Sequence, residues 1–478
     1  MRHIRILCGI VGWAALALTA NGQMGEPSRL VRLSVVAADS QKGGTELTAD
    51  DFHITDDGKA QKVVLVRGSA AHPAITPASG EFTNRPTPTP HTTAILFDFL
   101  NTDRTIRLDA AKKIGQSLKQ LTSGGDTVFL YLLALDGKLV PVHAFPAEPG
   151  AKSDGNWVQN VEAELGKAVK ANSGDRPRGI ADEEFTKRSY VALETVANQL
   201  AGYPGRRDII WVTKQIIYTY PLKPCPADWI DCGLYVPHLS VTLDRAGVVV
   251  NLLSYAAFKD PDQTRDMGEM AGLTGGRVWF GDDIKTVIET LRGMTGDVYT
   301  LAYDPGHESW DNKFHRVKVT SDRKSLTIQA RQRYYALPAG QQPVAEREHA
   351  ILLAAYQSPV DQYDIGLRLK VTAAGNKARV ELHLDPADLL LREQGDGFGD
   401  QLTLLLSARS DKGPLGEPAV LPLDLHLTRE QRDKVLKEGV PVGQEIPIDS
   451  TTQKVRVIVL DRSDDSVGSL TVPISAAK

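Results

Sequence analysis

The run His91-Thr-Thr-Ala-Ile-Leu-Phe-Asp-Phe-Leu-Asn-Thr102 constrains the rest of the chain more than any other stretch. Ala94 to Phe97 and Leu100 are apolar, and one carboxylate, Asp98, sits near the end of the run. A continuous apolar run of this length predicts a strand buried on both faces, as in a parallel sheet. Ligand sites in open α/β sheets lie just past the carboxyl ends of such strands. Asp98, Asn101 and Thr102 stand there, which makes them the candidate binding residues.

From Thr92 onward, strand and helix patterns alternate. Ile106, Ala110, Ile114, Leu118 and Leu121 form one helical stripe that Gly124-Gly125 ends. Residues 127–135, 208–213 and 247–254 read as buried strands, and 138–145, after Asp136-Gly137, as an antiparallel edge partner. A helix is expected over 189–200. The reading is an α/β fold, a doubly wound and mostly parallel sheet over residues 92–296, flanked by β-rich segments.

The flanks change to period two. Val31 to Val36 alternates, and Asp57-Gly58 is a hairpin signal between Phe52 to Thr55 and Lys62 to Val66. This N-terminal β-rich segment, 28–68, is expected to pair with strands in 297–338. Residues 69–91 carry Pro86, Pro88 and Pro90 spaced by Thr and read as a linker or surface strap. Short turn-separated strands over 350–478 suggest an immunoglobulin-like β-sandwich.

Arg2 and Arg5 precede an apolar segment from Ile6 to Ala20, which small and polar residues follow up to Gln23. That is the pattern of a secretory signal peptide over 1–23, and its core is shorter than the roughly 20 residues that span a bilayer. The expectation is an exported protein, periplasmic or secreted, with no membrane span after cleavage. Cys8 would leave with the signal, so Cys225 and Cys232 are expected to form one disulfide. A zinc site there would need two further ligands, and only His238 is near in sequence. The net charge of −4 is scattered, with no basic patch interleaved with aromatics, so nucleic acid is not an expected partner.

Several stretches in order resemble the von Willebrand factor A-related family first described in acidobacterial genomes. They are Leu47-Thr-Ala-Asp-Asp-Phe52, Asp57-Gly-Lys-Ala-Gln-Lys62, Phe97-Asp-Phe-Leu-Asn-Thr102 and Tyr203-Pro-Gly-Arg-Arg-Asp-Ile-Ile-Trp-Val-Thr213. Leu273-Thr-Gly-Gly-Arg277, residues 298–304, His315-Arg-Val-Lys-Val319 and Arg333-Tyr-Tyr-Ala336 complete the set. The resemblance implies the A-domain fold, export and a binding role. It also implies a divalent-cation site built on Asp-x-Ser-x-Ser, a later Thr and a later Asp. Asp98 and Thr102 match the first Asp and second hydroxyl, while Leu100 replaces the first Ser and Lys214 follows Thr213 where an Asp would help. Asn101, Asp103 or Asp126 could add an oxygen, and Thr186 is one guess for the later Thr.

With two oxygen donors missing, the preferred reading is a degenerate site in which Asp98 caps backbone N–H groups, with no cofactor. Magnesium at Asp98 and Thr102 is the alternative. Catalytic signatures such as His-Glu-x-x-His, Gly-x-Ser-x-Gly or a phosphate-binding loop are absent from the sequence. His91 and His315 read as isolated, and the acidic stretch Asp260 to Asp266 as capping a helix. The expected function is non-enzymatic binding of a protein partner in the cell envelope or outside the cell. The alternative is a magnesium-dependent adhesion receptor or metal-dependent enzyme centred on Asp98.

Overall fold

The computed structural model describes residues 30–39, 47–68, 77–85, 91–121, 127–145, 157–177, 182–201, 203, 205–216, 235–256, 260–293, 297–306, 310–336, 344–358, 360–411 and 413–474. The expected signal peptide, Asp126, Cys225 and Cys232 lie outside them. No helix among the described residues is long and apolar enough to cross a membrane.

The fold class differs from the α/β expectation. The chain is β-rich, and among the described residues every sheet but one is antiparallel; the exception is mixed. The strand–helix alternation that suggested a doubly wound parallel sheet belongs to the middle of the chain. The period-two flanks form more strands, and these pair as antiparallel neighbours. Inside the mixed sheet the same physics acts. Asp136 and Gly137 (φ 84°) leave too few residues for a crossover, so Leu139–His143 returns antiparallel to Val128–Leu133.

The mixed sheet has the order Val278–Phe280, Val249–Ser254, Arg207–Val212, Thr92–Asp98, Val128–Leu133, Leu139–His143, and its first five strands run parallel. Every residue of Thr92–Asp98 is buried. Ala94 and Leu96 pack with Leu193, Leu239 and Met267 on one face, while Ile95 and Phe97 pack with Ile114, Val161 and Ile288 on the other. Alternation along a strand sends neighbours to opposite faces, so a continuous apolar run fills two cores. At the far edge, a Cβ on Gly276 would lie 1.9 Å from the carbonyl oxygen of Val250. Glycine is what lets this turn close onto the Val249–Ser254 strand.

Val31–Asp39 lies between Asp297–Tyr303 and Leu326–Ala330, and Val63–Gly68 pairs with Asp297–Tyr303. The hairpin His53–Asp56 and Lys59–Gln61 pairs with Phe314–Thr320. Leu33, Ile54, Leu301, Tyr303, Val317 and Tyr334 form the core of this layer.

The C-terminal part is two antiparallel sheets around Leu369, Val380, Leu404, Val457 and Val472. The stretch read as a linker supplies one of its edges: Phe82–Thr83 pairs with Leu367–Ala374. Asn84 secures it by donating to the carbonyls of Gln362 (2.8 Å) and Ile365 (2.9 Å) and accepting from Leu367 N–H (2.8 Å).

Candidate functional site

Asp98 ends its strand and is fully buried. A carboxylate at that depth needs donors, and four converge on it. Oδ1 accepts the backbone N–H of Asn101 at 3.1 Å. Oδ2 accepts Asn101 Nδ2 at 2.9 Å, Ser189 Oγ at 2.7 Å and Trp211 Nε1 at 3.3 Å. Asn101 also donates to Ser189 Oγ at 2.8 Å. Burial pushes the Asp98 carboxyl above the usual carboxylate range, opposed by hydrogen bonds from Ser189, Asn101 and Trp211.

Ser189 and Trp211 were not legible as partners. The helix expected to begin at Ser189 spans Asp182–Leu200, so Ser189 stands mid-helix on a face packed over the sheet. Trp211 lies on the neighbouring strand, one residue before Val212, which pairs with Phe97. The apolar run around Trp211 pointed to burial and gave no sign of its indole reaching a carboxylate.

The remaining candidates divide. Thr102 is buried, and its Oγ1 has no hydrogen-bond partner among the described residues; the same holds for Thr186. Thr213 turns its hydroxyl to the carbonyl of Gln215 at 3.0 Å. Leu100 is fully buried in the apolar core. Lys214 Nζ lies 2.6 Å from Asp103 Oδ2, which places an ammonium on the loop beside the strand end. Magnesium wants oxygen donors in octahedral array. Here the Asp98 carboxylate is occupied by donors, Asp103 is paired with Lys214, and Leu100 offers no oxygen. The residues present do not fit a complete cation site.

The histidines read as isolated are both partnered. His91 Nε2 is 2.6 Å from Asp208, which also accepts Arg206 Nε at 2.6 Å and Asn251 Nδ2 at 2.8 Å. This is a buried network at the amino-terminal end of the strands. His315 faces Asp56, Asp57 and Asp311. Asp260 caps the helix Pro261–Gly272 through the N–H groups of Asp262 and Gln263.

No protein-family model matches the chain, and comparison with curated proteins gives no match. Among solved structures, it is similar to the human COPII-coat protein Sec24c at 12% identity and a TM-score of 0.28, covering 58% of this chain and 52% of that one. The chain thus spans about half the length of that protein. Similarity to bovine butyrophilin is at 13% identity and a TM-score of 0.15, covering 38% of this chain and 63% of that one.

Proposed function

We propose that this is an exported, non-enzymatic binding protein whose partner is another protein, in the cell envelope or outside the cell. The observation that carries the reading is the inward commitment of Asp98. Its oxygens hold Asn101, Ser189 and Trp211 and so pin the 99–103 loop to the sheet. That loop continues into the exposed Asp103 and Arg104. A fixed loop presenting charge at a sheet end suits recognition, since binding residues favour loops held by a rigid scaffold. The ordered motifs that resemble a family of exported binding proteins support the same reading by analogy.

One observation favours a second reading, cation-bridged adhesion or metal-dependent catalysis centred on Asp98. The Thr102 and Thr186 hydroxyls are buried without partners among the described residues, as ligand oxygens awaiting a cation would be.

Thermal unfolding with and without millimolar Mg²⁺, Mn²⁺ and Ca²⁺ separates the two, because a ligand of the folded state alone must raise its stability. The binding-module reading expects no rise that depends on Asp98. A rise abolished by both Asp98→Ala and Thr102→Val would replace it with the second reading.

A further inference from the structure

A separate concentration of ligand chemistry stands where the hairpin turn at Asp57-Gly58 meets the Phe314–Thr320 strand. Asp56 pairs in register with Val317, and His315 with Tyr334. Asp56 is 5% exposed, and its Oδ2 accepts the hydroxyls of Tyr303 at 2.9 Å and Tyr334 at 2.7 Å. Its Oδ1 is buried and has no hydrogen-bond donor among the described residues. It faces His315 Nδ1 at 3.6 Å. Asp57 Oδ1 accepts the N–H of Arg316 at 2.9 Å, while Oδ2 lies 3.1 Å from His315 Nδ1. One ligand atom from each of Asp56, Asp57 and His315 lies within 4.8 Å of the other two.

We propose that this cluster is a divalent-cation site of the zinc class, with Asp56 Oδ1, Asp57 Oδ2 and His315 Nδ1 as ligands. Zinc takes nitrogen and carboxylate oxygen at 2.0–2.2 Å in a tetrahedron, which sets ligand atoms roughly 3.4 Å apart. The two nitrogen–oxygen separations, 3.1 and 3.6 Å, bracket that value. The supporting groups fit as well. His315 Nε2 lies 3.0 Å from Asp311 Oδ1. A proton on Nε2 donated to Asp311 leaves the Nδ1 lone pair for the metal, the carboxylate–histidine–metal arrangement. The imidazole also stacks on Tyr334, with centroids 5.3 Å apart. The two tyrosine hydroxyls fix Asp56 so that its free oxygen points inward. Two ligand carboxylates balance the charge of a divalent ion, and Asp57, half exposed, leaves a solvent side for water as the fourth ligand. Calcium, with six to eight oxygen ligands, suits this donor set poorly. The ion would tie the N-terminal hairpin to a strand 259 positions further along the chain.

The test is calorimetric titration of untagged, chelator-treated full-length protein with Zn²⁺, alongside thermal unfolding. The proposal expects one equivalent bound per chain and a midpoint raised by several degrees. Asp57→Asn and His315→Gln should each weaken the affinity at least about 100-fold. Asn tolerates the left-handed backbone of Asp57 (φ 45°), so Asp57→Asn keeps the turn and decides the matter alone if His315→Gln does not fold. Absence of saturable zinc binding by the wild type overturns the proposal. So does binding of undiminished affinity in folded Asp57→Asn.

Discussion

The hydroxyl of Ser189 donates to Asp98 across 2.7 Å, joining the Asp182–Leu200 helix to the carboxyl end of a strand 91 positions earlier. The bond turns the candidate site inward and makes Asp98 a fastening between helix, strand and loop.

Removing that fastening should be costly. Asp98→Ala removes an acceptor from Ser189, Asn101 and Trp211. Ser189 keeps the Phe185 carbonyl at 3.2 Å and Asn101 Nδ2 keeps Ser189 Oγ at 2.8 Å. The Trp211 indole N–H and the Asn101 backbone N–H lose theirs, and such orphaned groups cost roughly 1–3 kcal/mol each. Because they share one acceptor and can partly re-pair, we expect a net loss of about 3 kcal/mol in urea unfolding, with Ser189→Ala losing about 1 kcal/mol. A loss below 0.5 kcal/mol in Asp98→Ala would contradict the inward-facing site.

The same carboxyl predicts a pH dependence. Burial raises the folded pKa of Asp98 above its unfolded value, so its contribution is fully present below the unfolded pKa. It is lost as pH rises through the folded pKa. The stability of the wild type relative to Asp98→Asn should therefore grow in favour of the wild type as pH falls from 7 towards 4. Unfolding curves of both proteins across that window check the sign.

A second acid pair lies in the C-terminal part. Asp400 and Asp461 are both buried, and desolvation pushes Asp400 up to about 6 and Asp461 upward too. Asp400 Oδ1 accepts from Gln401 N–H and Ser463 Oγ, each at 2.8 Å. An Asn at 400 can keep both bonds and donate its amide to Asp461, so the pair no longer needs a proton. Asp400→Asn should stabilise the protein at pH 8 by about 2 kcal/mol. The gain should shrink as pH falls through about 6 and be lost only below the ordinary carboxyl value of 3.8, at roughly pH 3, where Asp400 is protonated in both states. Equal effects at the two pH values would refute the shared-proton account.

Arg67 connects the two ends of the chain. It donates to Ser466 Oγ at 2.7 Å and pairs with Asp464 at 3.3 Å, all three buried. Breaking a buried pair by removing one partner typically costs about 3–5 kcal/mol. Arg67→Ala should lose that much, and limited proteolysis should then release the N-terminal strands before the sandwich is cut. Coincident cleavage at wild-type rate would argue against this anchor.

Two glycines separate steric from conformational demand. A Cβ at position 276 meets the Val250 carbonyl at 1.9 Å, whereas at position 58, with φ 81°, nothing lies within 4 Å. Gly58→Ala should cost about 1–2 kcal/mol, the strain of a left-handed alanine. Gly276→Ala should cost more, at least about 3 kcal/mol, since the backbone itself must move. Thermal midpoints of the two variants rank the effects.

What the sequence determined by itself was local. The apolar run from Thr92 to Asp98 was long enough to require a strand with both faces covered, and Asp57-Gly58 was enough to require a tight turn, because those demands are met by neighbours in the chain. The α/β class inferred from that central run failed for the whole chain. Pairing direction is decided by which strands meet, and the flanking strands met as antiparallel partners. Only tertiary structure decided the sites. Ser189 and Trp211 reach Asp98 from 91 and 113 positions away, and Asp56 and Asp57 reach His315 from 259 and 258. A side chain's chemistry follows from the donors, acceptors and charges packed around it, and those come from segments whose proximity no local pattern encodes. Within the stretch 69–91, Phe82 and Thr83 show the same division: their neighbours read as linker, and an unpaired edge of the C-terminal sandwich made them a strand.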